Sequence, residues 1–355
     1  MKIAHVITGA EEKLSGAKNS VTLFVKYLGK KSKTENVIYS ANGSKPFLFN
    51  GKEILPVSAL ILEDYDLIIL NGIYDFTLMK LAGVAASKNI KYVFFPRSSL
   101  MVNSLAKSWY KKIPFLLIYS LNFYRASGIF FLSEEEKKRS FFGTLKKSFV
   151  CGNIVDTVPF GIQENRKKII RFIGRFDINH KGLDVLLGAV SLASKDIRDS
   201  GWSVCLHGPD QANELENLKS IASRSGIEDI VSFHDAVFQE EKFRLLSESS
   251  FFVHTSRYEG QPQAVMEAMA YGNVILITPG TNMTSIIRNA NCGITCDFNK
   301  AKVAEGILKL IRMPHDQLQS MQFNAFEYAK KNFAGESVAN CFVQSLCSLG
   351  LERHS

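Results

Sequence analysis

The chain of 355 residues has no apolar run long enough to cross a bilayer as a helix. Its longest, Ile113 to Tyr124, is short and is interrupted by Pro114, Ser120 and Asn122. There is no disulfide framework. The six cysteines are scattered over a long chain, and Cys292 and Cys296 in NCGITC have no second Cys or His pair at metal-ligand spacing. They read as small core residues. Several familiar signatures are missing as well: no Walker loop, no G-x-G-x-x-G opening a helix, no G-x-S-x-G and no H-E-x-x-H. No repeat of 20–50 residues is visible, which sets solenoids and propellers aside. With 46% hydrophobic and 22% charged residues, collagen-like, low-complexity and disordered classes are excluded too. The apolar run Ile3 to Ile7 meets Glu11, Glu12 and Lys13 too early for a secretory signal, so a cytoplasmic location is expected.

Charge is present but uneven. Residues 1–160 carry 22 Lys/Arg and 12 Asp/Glu, a net of +10, whereas the rest carries 21 and 22, a net of −1. A basic N-terminal half suits anionic lipid, an anionic small molecule or nucleic acid, or is simply a soluble surface. No helix-turn-helix or aromatic-plus-basic RNA pattern accompanies it, so no nucleic-acid partner is expected.

Short apolar runs alternate with amphipathic stretches. Strands are expected at Lys2–Thr8, Val37–Ser40, Leu67–Leu70, Tyr92–Phe95 and Gly128–Leu132, with helices between them. The pattern breaks at Val158–Gln163 and restarts with strands from Ile169 onward, then ends in a helical tail from Val303 to about Leu346. Such alternation predicts an α/β protein with parallel sheets covered on both faces. It suggests two doubly wound domains with a ligand cleft at the carboxyl ends of the strands.

Two segments carry chemistry. In SRYEGQPQAVMEAMAYG, Pro262 suits the first position of a helix, and the amides of Gln263, Ala264 and Val265 then point out of its start. Gly260 permits close backbone approach, while Glu267 is set among Val265, Met266, Ala268 and Met269. A carboxylate buried there needs hydrogen-bond partners, which ligand hydroxyls would supply. In GRFDINHKG, Arg175 and Lys181 bracket a strand-to-helix loop. A cation at a helix start opposes the dipole, so Lys181 predicts a nearby anion; the pair makes a cradle for a diphosphate or is two solvated loop cations. Asp64-Tyr65-Asp66 has the spacing of a metal-chelating D-x-D but stands just before a strand, where acidic residues commonly solvate the strand start. No metal site is assigned.

The runs GRFDINHKGLDVLL and SRYEGQPQAVMEAMAYGNVILIT resemble the C-terminal domain of retaining GT-B glycosyltransferases of family four, whose E-x7-E pattern Glu259 and Glu267 meet. The likeness is good over residues 169–312. It continues thinly through SGAKNSVTLFVKYL, FFPRSSL, SGIFFLSEEE and VPFGI. It implies a GT-B fold, two doubly wound Rossmann-like domains facing a central cleft. Residues 1–163 would form the acceptor side and 164–330 the nucleotide-sugar domain, with 331–355 a helix crossing back to the first.

The resemblance also implies a retaining, metal-independent transferase that moves a sugar from a nucleotide-diphosphate sugar to a glycan, lipid-linked in cell-surface polysaccharide assembly. By it, Glu259, Arg175 and Lys181 are catalytic, with Glu259 on the transferred sugar and the two cations on the diphosphate. Glu267 holds the ribose. Gly260, Gln261, Pro262, Gln263 and Ala264 surround sugar and phosphate, and Gly16 lets an N-terminal loop close over the donor. No cofactor is implied, since the nucleotide sugar is a substrate. Arg97 is an acceptor-side candidate. Departures are Ser98 for a glycine, Phe160 for an asparagine, Asp235 for a glycine, and Arg97 for the more frequent histidine. Transfer to a soluble acceptor, or a silent sugar-nucleotide-binding protein, remain alternatives. The segment Lys107–Arg125, with Trp109 and Lys111–Lys112 before an apolar run, suits docking on the inner face of an anionic membrane as a peripheral protein; the other reading is a helix buried under the sheet.

Overall fold

The computed structural model describes residues 1–8, 16–31, 34–102, 104, 108–145, 147–156, 162–163, 166–210 and 213–350. Two compact units are present. One comprises Met1–Asp156 with Gly335–Ser355, the other Thr157–Ala334.

The first unit holds an eight-stranded sheet of β1 (Lys2–Ile7), β2 (Glu35–Ser40), β3 (Phe47–Phe49), β4 (Lys52–Pro56), β5 (Leu67–Asn71), β6 (Tyr92–Phe95), β7 (Gly128–Phe131) and β8 (Ser148–Val150). Their order is β3-β4-β2-β1-β5-β6-β7-β8, parallel except for β3 against β4. The central strands are buried from end to end, as LIILN in β5 and YVFF in β6 require when helices cover both faces. Asp75 starts the Phe76–Ser87 helix by accepting the amides of Thr77 and Leu78. The Gly335–Ser348 helix packs in this unit, where Phe342 meets Phe24, Phe95 and Phe130 edge-on or tilted at 4.9–5.9 Å.

The second unit holds β9 (Lys167–Ile173), β10 (Ser203–His207), β11 (Val231–His234), β12 (Ser249–His254), β13 (Val274–Ile277) and β14 (Gly293–Thr295) in the order β11-β10-β9-β12-β13-β14. Counted within the unit this is the 3-2-1-4-5-6 order of a dinucleotide-binding sheet. The strand order reverses between β9 and β12, and the crevice outside that switch point is where such folds take ligands.

Two expectations are corrected. A hairpin, β3 to β4, lies where no strand was expected, turned at Asn50 and Gly51 with φ of 50° and 69°. The helical tail is three helices, Lys300–Ile311, His315–Asn332 and Gly335–Ser348, broken at Pro314 and Phe333–Ala334. Trp109–Arg125 of the basic segment forms a helix, and Lys107 lies outside the described residues. The loop before Gly16 and most of the VPFGI segment lie outside the described residues; Gly16 itself opens the Gly16–Lys31 helix.

Candidate functional site

The two segments singled out in the sequence leave the carboxyl ends of β9 and β12, the neighbouring strands of the switch point. The loop after β9 runs through Gly174 and Arg175 into a short helix, Ile178–Lys181, capped by Asp177, whose side chain accepts the His180 amide at 2.8 Å. Gly182 follows at φ 65°, and an added Cβ there would lie 2.2 Å from the Thr255 carbonyl oxygen. Only glycine lets the two loops approach so closely. Thr255 Oγ1 donates to the Lys181 and Gly182 carbonyls, and Arg257 donates to those of Ile178 and Asn179 while gripping Asp184 at 2.7 and 3.1 Å. The two loops are thus one rigid body at the sheet edge.

Glu259 is the hub. Its Oε1 accepts from Lys181 Nζ, from Ser256 Oγ at 3.1 Å and from His254 Nε2 at 3.4 Å. Its amide donates to the Gly280 carbonyl at 2.7 Å, and Asn282 Nδ2 donates to its carbonyl oxygen. Burial by itself would raise this carboxyl, but the His254 hydrogen bond and the Lys181 charge outweigh burial and hold it well below the usual carboxylate range. Burial lowers His254, so the ring is neutral, and a carboxylate that only accepts requires its proton on Nε2. Burial likewise lowers His180, which stacks on Tyr258 at 4.5 Å and donates from Nε2 to the Tyr258 carbonyl. Its Nδ1 then accepts from Arg175, 3.3 Å away on an exposed side chain.

Lys181 closes a helix instead of starting one. The anion it demands is Glu259, a side chain. At the Pro262 helix the Gln263–Ala270 turn has no side-chain cap, yet Val265 N–H bonds back to the Pro262 carbonyl at 3.1 Å. One of the three expected phosphate-binding amides is therefore committed, and those of Gln263 and Ala264 stand at the helix start. Glu267 is buried as expected, but its partner is Lys242 Nζ at 2.8 Å. Gly260, Gln261 and Pro262 form the bend between Glu259 and the helix, with Gln261 buried.

The pattern of the family described as glycosyl transferases group 1 matches residues 157–331. Residues 157–331 are thus similar to a group 1 glycosyl transferase domain. A GDP-mannose:cellobiosyl-diphosphopolyprenol alpha-mannosyltransferase of Xanthomonas oryzae is 28% identical over 43% of this chain and 37% of its own length. An uncharacterized glycosyltransferase of Haemophilus influenzae is 30% identical over 43% and 42%. The matched stretch spans about two fifths of these curated relatives. Among solved structures, a sucrose-phosphate synthase from Thermosynechococcus elongatus aligns at TM-score 0.79 and 15% identity, covering 98% of this chain and 99% of that one. Anabaena HepE in complex with UDP and glucose aligns at 0.74 and 16%, covering 98% and 100%. The fold is GT-B.

The Arg97 region is a second polar centre, in the first unit. Arg97 donates to Asn71 Oδ1 at 3.0 Å and to Asn153 Oδ1 at 3.1 Å, and burial lowers it to about 10. Arg97 and Ser98 have φ of 48° and 68°, a conformation L-residues avoid. The Ser98 amide donates to Glu136 Oε1 at 2.5 Å and that of Leu132 to Oε2 at 2.7 Å. Burial raises Glu136 to about 7. Asp66 of the D-x-D accepts the Lys2 amide at 2.7 Å. Sequence reasoning missed His254, Ser256, Asn282 and Lys242. Only Asn282 had a signal, as part of the Pro279–Gly280 turn after β13.

Proposed function

We propose that the chain transfers a sugar, with retention of anomeric configuration, from a nucleoside-diphosphate sugar to a glycan acceptor that is lipid-linked. The observation that carries the reading is the convergence, at the switch point of one dinucleotide-type sheet, of Arg175, Lys181, Glu259 and the start of the Gln263–Ala270 helix. As the bond from anomeric carbon to phosphate breaks, negative charge grows on the leaving diphosphate and positive charge on the sugar. Arg175, Lys181 and the helix start oppose the former, so they act on the transition state more than on the ground state. In this reading they supply the positive charge, and no metal is invoked. Ionised Glu259 faces the sugar, where it hydrogen-bonds hydroxyls and offsets the positive ring. The acceptor hydroxyl attacks from the face that the diphosphate leaves. Its oxygen forms the new glycosidic bond and its proton passes to the departing phosphate oxygen.

Lys181 and Glu267 are held by Glu259 and Lys242, so donor binding gives Lys181 a phosphate in place of a carboxylate and Glu267 hydroxyls in place of an ammonium. The lipid-linked acceptor is supported by relatives whose names specify a diphosphopolyprenol glycan and GDP-mannose as donor. The test is a melting-temperature screen against GDP-, UDP-, ADP- and dTDP-sugars, GDP-mannose first, followed by nucleoside-diphosphate release with a polyprenol-diphosphate glycan or a free sugar. One donor should raise the melting temperature, and Glu267→Ala should reduce that rise. No shift with any donor refutes the reading. Binding without release in the presence of acceptor identifies a silent partner protein, and release with free sugar alone removes the lipid-linked acceptor.

A further inference from the structure

The helix Trp109–Arg125 is apolar on two opposite faces. One is anchored: Leu116 and Phe123 are buried, and the Phe123 ring packs at 4.7 Å on Phe94 and 4.6 Å on Phe142. The other is bare. Tyr110, Ile113, Leu117, Leu121 and Tyr124 follow one another at spacings of three and four, which lines them along a single stripe. They are between 43% and 70% exposed. Trp109 and Ile118 flank the stripe at 62% and 72%. Sequence periodicity left open whether this segment lies under the sheet; the structure turns its second apolar face outward.

Large contiguous apolar patches on a soluble surface mark a partner. The charges around this one say which. The helix carries Lys111, Lys112 and Arg125 and no acidic residue. On a helical wheel the exposed Lys111 and Arg125 fall along the same edge of the stripe. The half of the chain that contains the helix has a net charge of +10. A second copy would set positive charge against positive charge, whereas an anionic bilayer offers acyl chains to the stripe and phosphates to its basic edge. Among the described residues no helix is long and apolar enough to cross a membrane, so the contact lies in the interface plane.

We infer that the exposed stripe of the Trp109–Arg125 helix docks the first unit on an anionic lipid surface, with Trp109 at headgroup level. The surface is read from the first unit alone and does not rest on the donor reading. The test is sedimentation of the full chain with vesicles of equal parts phosphatidylcholine and phosphatidylglycerol, against phosphatidylcholine alone. Trp109 emission is followed in parallel; the other tryptophan, Trp202, is buried in the second unit. The chain should sediment with anionic vesicles, weaken in high salt, and show a blue shift. The double variant Leu117→Ser, Ile118→Ser should lose about tenfold or more of the affinity, since two exposed aliphatic side chains no longer enter the acyl boundary. Lys111→Glu with Arg125→Glu should abolish the preference for anionic lipid. Unchanged helical circular dichroism and an unchanged melting-temperature shift with donor keep these results separate from misfolding and from the donor site. Absence of vesicle binding, a double variant that binds like the parent, or a dimer that the Leu117→Ser, Ile118→Ser variant dissociates would each overturn the inference.

Discussion

Each unit has a mostly parallel sheet whose strand order reverses near its centre, yet the two treat charge at the strand ends in opposite ways. In the second unit the charges are paired with charges: Lys181 with Glu259, Lys242 with Glu267, and Arg257 with Asp184. In the first, Arg97 rests on two asparagine oxygens and Glu136 on two backbone amides. A paired cation can pass from its carboxylate to an incoming anion and stay matched, while the carboxylate it leaves takes another partner. A carboxyl satisfied by backbone amides cannot trade them without unfolding the turn it holds. In the proposed reading the second unit's pairs open to an anion, whereas the first unit's contacts hold a strained turn.

The sharpest way to break this contrast is at Lys181. Lys181→Ala should lower turnover about 10²–10³-fold, the scale seen when one preorganised charge partner of a transition state is removed. Single-turnover kinetics would measure it, and parent-like turnover would mean that the pair serves structure alone. His254 comes next. As a neutral donor that fixes one oxygen of Glu259, it is a positioning residue, and His254→Leu should cost roughly tenfold in kcat with little change in donor KM. His254→Gln, which keeps a donor, should restore most of the rate. Equal losses in both variants would show packing and not positioning.

On the other unit, Ser98→Gly tests the strained turn. Relief of the left-handed conformation against the freer unfolded chain should raise stability by up to about 1 kcal/mol, measured by urea unfolding. A loss would mean that the Ser98 side chain contributes more than its backbone strain.

The smallest effect expected is in pH response. In the second unit burial, with Arg171 and His234 nearby, lowers His207 to about 4, and a lowered histidine stabilises the fold above its free value near 6.5 and loses that contribution as pH falls. Glu259, held below the carboxylate range, adds a further loss at still lower pH. In the first unit burial lowers His5 to about 4, which acts in the same direction. Glu136 opposes it: a carboxyl raised to about 7 stabilises below its free value and loses that contribution as pH rises from about 4.5 to 7. Acidification should thus weaken the second unit more than the first. Hydrogen exchange at pH 7 and pH 5 would measure each unit separately, and earlier opening of the first would contradict the balance drawn here.

Much of the fold was legible as pattern. Apolar runs such as LIILN and FFVH read as central strands, because a strand covered by helices on both faces is apolar at every position. The Asn50–Gly51 turn was legible too and was overlooked, since the strands it joins are only three and five residues long. The helical tail was read as one piece because propensity does not register where Pro314 and the Phe333–Ala334 break redirect the chain. At the candidate site, the positions of Arg175, Lys181, Glu259 and Glu267 followed from spacing, whereas their partners did not.

Spacing along the chain by itself determined which residues stand at the ends of β9 and β12, since a strand followed by a glycine-containing loop and a helix fixes where that loop emerges. Which oxygen meets which nitrogen depends on groups far apart in sequence, such as Lys181 with Glu259 and Lys242 with Glu267, and only tertiary packing brings them within reach. The same holds for the Trp109–Arg125 helix. Its sequence is apolar on both faces, and only the core that accepted Phe123 decided which face was left to water.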